Sequence, residues 1–209
     1  MRERQLYLDC DGVLADFDHG AERVLGVPLP VYEARHGRAH LWERLAQAPE
    51  FFFHLPLMPR ATELFAAVRH LHPIILTGLP RGNWAAGQKV RWAERHFPGT
   101  KIITCLAVDK RKHCADGDVL VDDTLKYRHL WEQAGGIFIH FRDVDQVLQE
   151  LAGLFPAIRS AAQGGTPVRP GSREDPVKEI SHPWSDGAAC GRLFPTCKVA
   201  SSSPGKPRP

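Results

Sequence analysis

The sequence predicts an α/β protein: a parallel sheet covered by helices on both faces, with a small helical segment inserted after the first strand. Three observations predict it. Between residues 5 and 154, short apolar stretches alternate with stretches of helical periodicity, which is how buried parallel strands and their crossover helices read. Three apolar stretches end on polar residues, at Asp9-Cys10-Asp11, Thr77 and Asp122-Asp123, and in open parallel sheets ligands bind beyond the carboxyl ends of the strands. Residues 17–58 interrupt the alternation over a length that suits a small helical cap. Together these describe a Rossmann-like architecture.

The elements follow in order. Residues 5–8 form a short strand running into acids. Within the insertion, residues 18–25 and 40–48 have helical patterns, and Phe17, His19, Trp42, Phe51, Phe52 and Phe53 concentrate its aromatic character. Residues 61–70 place Leu64, Phe65 and Val68 at helical spacing, which Leu71 continues. Residues 73–76 are an apolar strand ended by Thr77-Gly78. Residues 84–96 are helical and stop at Pro98-Gly99. Residues 101–106 are rich in strand formers, and residues 119–121 form a strand leading into Asp122-Asp123. Residues 125–132 read as a helix stopped by Gly135-Gly136, residues 137–141 as a strand and residues 144–154 as a helix. The expected core is therefore residues 1–16 and 59–156, with residues 17–58 as the cap.

Composition narrows the function classes. A chain with 43% hydrophobic residues is not disordered throughout. No apolar run approaches the roughly 18 residues of a membrane-spanning helix. The charged start, Met1-Arg2-Glu3-Arg4, leads to Asp9 and Asp11 rather than to the apolar core of a signal peptide. A cytoplasmic protein with no membrane partner is expected. The five cysteines (Cys10, Cys105, Cys114, Cys190 and Cys197) are odd in number and contain no C-x-x-C pair, so they read as reduced thiols rather than a disulfide framework or zinc site. The formal net charge of +3 is uneven: residues 157–209 carry eight Lys/Arg against four Asp/Glu, leaving 19 against 20 elsewhere. A body without a basic excess is not expected to bind a nucleic-acid polymer. Residues 157–209 also hold eight of the 17 prolines, beside Gly- and Ser-rich runs. They are expected to be a disordered tail, with the boundary near Phe155-Pro156.

Four stations carry chemistry. In Asp9-Cys10-Asp11-Gly12, two carboxylates can face one site if the chain turns between them, which Gly12 permits. One can attack phosphorus while the other shuttles a proton. Thr77-Gly78 offers a hydroxyl and free amides to an anion. Lys110 can neutralise a phosphoryl group that would otherwise repel an attacking carboxylate, with Arg111 and Lys112 as alternatives in register. Asp122-Asp123 ends a buried strand, where unpaired acids are costly, and with Asp9 can form an oxygen cage for Mg²⁺. Taken singly, each also reads as a solvated turn, a basic loop or a helix cap. Taken together, in this order at strand ends, they point to one site.

This set resembles the four motifs of the haloacid dehalogenase superfamily of phosphohydrolases, over roughly residues 5–154. A narrower resemblance, to the 5'(3')-deoxyribonucleotidases, rests on Asp9-Cys10-Asp11-Gly12-Val13-Leu14-Ala15-Asp16-Phe17, on the run from Phe51 to Pro59, on Leu76-Thr77-Gly78 with Lys89, on Asp109-Lys110 and on Val121-Asp122-Asp123. The resemblance implies a Mg²⁺-dependent phosphomonoesterase in which Asp9 is the nucleophile and Asp11 the acid and base. It implies that Asp9, Asp123 and the backbone carbonyl of Asp11 ligate the metal, with Asp122 ligating directly or through water. Thr77, Gly78, Lys110 and Lys89 would lie at the phosphate, and Phe17, Trp42 and Phe52 (or Phe51) at the base. The implied partner is a small phosphoester, a nucleoside monophosphate first; a homodimer is left open. A phosphatase of other or many small phosphoesters is the nearest alternative. A phospho-accepting signalling module is a rival of another class, but its lone acceptor Asp precedes the Thr and its Lys comes last, whereas here an acid pair follows both.

Overall fold

The structure is a computed structural model and describes residues 3–156 and 158. Five parallel strands make one sheet: β1 (Leu6–Leu8), β2 (Ile74–Gly78), β3 (Ile102–Cys105), β4 (Val119–Asp122) and β5 (Ile137–His140), in the order β3-β2-β1-β4-β5. The chain starts in the middle of the sheet, builds outward through β2 and β3, then returns to build the other side through β4 and β5. The direction reverses between β1 and β4, and that is where open α/β sheets carry their ligands. Leu8 is level with Val121 across this seam, so Asp9 and Asp122 leave the sheet side by side.

Neighbouring residues on a strand face opposite sides, and the core divides accordingly. Leu6, Leu8, Ile75, Val119, Val121 and Ile139 pack in one cluster with Leu64 of α3 (Ala61–Val68), Trp92 of α4 (Ala86–His96) and Leu151 of α6 (Val144–Leu154). Tyr7, Leu76 and Leu120 pack in a second, smaller cluster under Trp131 of α5 (Arg128–Gln133). Both faces are covered, one by three helices and the other by one short one.

The insertion leaves and re-enters through a two-stranded stem. The N–H of Asp16 donates to the carbonyl of Pro56 (2.8 Å), and the N–H of Met58 donates to that of Leu14 (2.8 Å). Helix α1 (Phe17–Leu25) starts at Asp16, whose carboxylate accepts from the N–H of His19. It is followed by α2 (Leu29–Gln47), which breaks at Gly37 (φ 81°, ψ 159°), a conformation open to a residue without Cβ.

Three elements differ from their sequence readings. The first arm of α2, before Gly37, was not expected, because Pro28, Pro30 and Gly37 mimic a loop; proline in a first helical turn costs no hydrogen bond. The 125–132 stretch is a 3-10 turn (Leu125–Tyr127) before α5 begins at Arg128. Helix α4 begins at Ala86, so Trp84 stands in the loop before it. The expected tail from residue 157 onward, with Cys190 and Cys197, lies outside the described residues apart from Ile158. Cys10 and Cys105 are free thiols, and Cys10 is buried. No helix among the described residues is long and apolar enough to cross a membrane.

Candidate active site

Asp9 is the first residue beyond β1. Its Oδ1 accepts the N–H of Cys10 (2.7 Å), and its Oδ2 meets Lys110 Nζ at 2.8 Å. Lys110 sits in a 3-10 turn (Ala107–His113) after β3, and its Nζ also lies 2.6 Å from Asp122 Oδ2. Arg111 is exposed at the cavity wall, and Lys112 turns away to pair with Asp109 (2.8 Å). Of the three basic residues in register, Lys110 is the one brought to the acids. Burial works against its charge, but Asp9 and Asp122 outweigh burial and raise its pKa.

Asp9, Asp122 and Asp123 form a cluster in which one carboxylate oxygen from each lies within 4.8 Å of the others. Burial, then the charge of Asp9, raises the Asp122 carboxyl above its ordinary value. Burial, then Asp9 and Asp122, pushes Asp123 up to about 7. Three converging carboxylates, with Asp122 and Asp123 both raised, need positive charge beyond the single Lys110. Oxygen donors of this kind suit a hard divalent cation, so the residues present fit the metal that the sequence resemblance implies.

A tight turn carries the chain from Asp9 past Asp11. Leu14 and Ala15 N–H groups both donate to the Cys10 carbonyl, at 2.8 Å each. Gly12 takes φ +74°, and a Cβ there would lie 2.3 Å from Asp123 Oδ2. Glycine is therefore required twice over, by the backbone and by the close approach of a cluster acid. Asp11 is held by Lys89, whose Nζ lies 2.5 Å from Oδ2; Oδ1 is buried with no hydrogen-bond partner among the described residues. Burial raises the Asp11 pKa, Lys89 opposes that, and Asp9 adds to it.

These groups open onto a cavity of about 1320 Å³, whose lining includes Asp9, Asp11, Gly78, Lys110, Asp122 and Asp123 on the sheet side. From the insertion come Phe17 and Trp42, with ring centroids 5.7 Å apart. Three expected contacts do not line it. Thr77 is fully buried at the end of β2, and its Oγ1 accepts from Lys89 Nζ (2.8 Å). Phe52 is 1% exposed and packs behind the wall, 6.1 Å from Phe17 and 5.1 Å from Trp84. Lys89 is also 1% exposed, with its ammonium 4.5 Å from the centre of the Phe52 ring. The reason is common to all three: a side chain pointing into the crevice and one pointing under it differ by a single step in the chain, and the motif spacing does not distinguish them.

Trp84 is the wall residue that sequence reasoning missed. It lines the cavity from the β2–α4 loop, packed on Phe52. Its helical spacing with Trp92 hid it. The usable signal was Gly82, two residues before it, which adopts φ +94° and ends any helix there.

A family profile described as "5' nucleotidase, deoxy (Pyrimidine), cytosolic type C protein" matches residues 21–145. The human "5'(3')-deoxyribonucleotidase, cytosolic type" is 29% identical over 147 residues, covering 58% of this chain and 71% of the human protein. A Bordetella pertussis protein is 31% identical over 136 residues, covering 56% of this chain and 73% of its own length. The mouse "5'(3')-deoxyribonucleotidase, mitochondrial" is 25% identical over 148 residues, covering 58% of this chain and 65% of its own.

Proposed function

This chain belongs to the family of deoxy (pyrimidine) 5' nucleotidases of cytosolic type C, and from that premise we propose that it hydrolyses nucleoside monophosphates through an aspartyl-phosphate on Asp9, with Mg²⁺ as its metal. That it is a phosphatase follows from the family; the substrate, the metal and the residue roles are our reading. One observation carries that reading. Asp9, Asp11, Lys110, Asp122 and Asp123 converge at the carboxyl ends of β1 and β4, on a cavity walled by Phe17, Trp42 and Trp84.

The roles follow from the surroundings. Asp9 attacks phosphorus with the oxygen that its Cys10 N–H leaves free to exchange Lys110 for the phosphoryl group. Lys110, close to both Asp9 and Asp122, offers its charge to the phosphoryl oxygens. Burial favours the protonated form of Asp11, so it gives a proton to the departing alkoxide and then takes one from the water that releases phosphate. Asp9, Asp123 and the Asp11 carbonyl hold the metal, with Asp122 beside them. Bound there, the metal supplies positive charge that lets an anionic nucleophile approach an anionic ester. Gly78 presents backbone to the phosphate, while Thr77 supports it from below. Residues 17–58 act as the cap on a core of residues 1–16 and 59–156, excluding water and reading the leaving group. The human relative's cytosolic type supports a cytoplasmic location.

The test is phosphate release with Mg²⁺ from a panel of deoxy- and ribonucleoside monophosphates and sugar phosphates, with Asp9→Asn as the blank. The reading expects strongest release from pyrimidine deoxynucleotides. Similar slow release from every ester would keep the mechanism and replace the nucleotidase by a broader phosphatase. Release that survives Asp9→Asn would overturn the mechanism.

A further inference from the structure

Lys89 is a buried lysine that reaches no cavity surface, yet it touches two of the four motifs. An ammonium has three N–H donors and accepts nothing. Here all three are spent on the protein, on Asp11 Oδ2 (2.5 Å), Thr77 Oγ1 (2.8 Å) and the Gly78 carbonyl (3.0 Å). Its open flank is covered by the ring of Phe52, 4.5 Å away. The N–H of Phe52 in turn donates to Oε1 of the neighbouring Gln88 (2.9 Å). A lysine so enclosed has no donor left for a phosphate. What it does have is one oxygen of Asp11, whose other oxygen has no partner among the described residues.

We infer that Lys89 is a positioning residue for the acid: by fastening Asp11 Oδ2 to Thr77 and the Gly78 carbonyl, it fixes the orientation of the carboxyl that exchanges a proton with the leaving group. This rests on the reading of Asp9 as nucleophile and Asp11 as acid. In the step concerned, the Asp9 oxygen–phosphorus bond forms as the bond from phosphorus to the ester oxygen breaks. The electron pair of the broken bond stays on the ester oxygen, and the proton on the Asp11 carboxyl moves to it. Lys89 takes no part in the bond changes. The same contacts run to Phe52, in the segment where the insertion returns to the core, so the orientation of the acid is tied to how that segment is seated.

The experiment compares two leaving groups on the full chain with Mg²⁺. A nucleoside monophosphate expels an alkoxide that needs a proton, whereas p-nitrophenyl phosphate expels a phenolate that leaves without one. Lys89→Met is expected to lower kcat on the nucleotide about 100-fold, within the range that general acid catalysis contributes, with little change in KM. On p-nitrophenyl phosphate kcat/KM, which ends at formation of the aspartyl-phosphate and leaves out the hydrolysis common to both substrates, should fall only a few-fold, and the affinity for inorganic phosphate, read from the thermal shift, should hold. In an Asp11→Asn background, Lys89→Met should add nothing further, since residues acting as one unit are not additive. If methionine is not tolerated at this buried position, Lys89→Gln, which keeps N–H donors without the charge, carries the same comparison. A raised KM and weakened phosphate binding with kcat intact would make Lys89 a phosphate ligand and overturn the inference. Equal losses of kcat/KM on both substrates, or additive losses with Asp11→Asn, would also overturn it. If Asp11→Asn itself shows no leaving-group dependence, or Asp9→Asn stays active, the underlying mechanism has failed rather than the part given to Lys89.

Discussion

The floor of the cavity and its wall are built on different physical terms. On the floor, Asp9, Asp11, Asp122 and Asp123 are brought together against their own repulsion, and two buried lysines are inserted among them. Lys110 bridges Asp9 and Asp122, and Lys89 holds Asp11 to Thr77. Each contact is directional, and few alternatives would satisfy it. The wall is an aromatic assembly in which Phe17 packs on Trp42, Phe51 and Phe52, and Phe52 on Trp84. Packing of this kind is non-directional and tolerant. On the proposed reading, the floor governs whether turnover occurs at all, and the wall governs what is turned over.

The sharpest way to break that contrast is at the proposed nucleophile. Asp9→Asn should lower turnover by about 10⁴-fold or more on every substrate, since the removed group forms the bond, while the melting temperature stays close to that of the wild type. A loss confined to some substrates would put Asp9 in the wrong class. Next comes the turn that joins the two acids. Gly12→Ala forces a Cβ into the space of the Asp123 carboxylate at φ +74°, and denaturant unfolding should show a cost of about 1–3 kcal/mol for the strained backbone, together with weakened metal affinity. A neutral Gly12→Ala would show that the turn can move freely.

The wall should respond differently. Trp84→Ala is expected to raise KM for nucleoside monophosphates about tenfold, in line with about 1–3 kcal/mol for stacking on a base. Kinetics on a sugar phosphate, which lacks a base, should stay the same. A fall in kcat on both substrates would instead join Trp84 to the floor. The smallest effect is on stability against pH. Asp123 is pushed up to about 7 in the fold, so between its ordinary value and about 7 the folded chain binds more protons than the unfolded one. Without metal, stability should fall as pH rises through about 7. Melting of chelated protein at about pH 5.5 and about pH 8 measures this, and Mg²⁺, which binds the ionised form, should recover the loss at the higher pH. Asp123→Asn should flatten the difference; an unchanged slope would mean that another group carries it.

Much of this molecule can be read from the chain alone, and the reason is local. Strands β1, β2 and β4 are apolar runs that stop at acids or at Thr77, so periodicity gives the element and the first polar residue gives its end. The order of those ends along the chain was enough to bring Asp9, Lys110, Asp122 and Asp123 to one site, because in a parallel sheet every strand finishes on the same edge. Gly12 was legible for the same reason, as the residue that permits a turn between two acids.

Tertiary structure decided what depends on a neighbour distant in sequence. Only the packed chain puts Lys89 beneath the crevice, with its three donors consumed by Asp11, Thr77 and Gly78, and only packing sends Phe52 behind the wall and brings Trp84 into it. The first arm of α2 forms although its prolines and Gly37 read as a loop, since Tyr32 is buried against the rest of the core and its hydroxyl lies 3.0 Å from His40 Nδ1 of the second arm. Periodicity records which face of an element is apolar. It does not record which of two aromatic or cationic side chains meets solvent and which meets protein, because that choice belongs to contacts made between elements far apart in the chain.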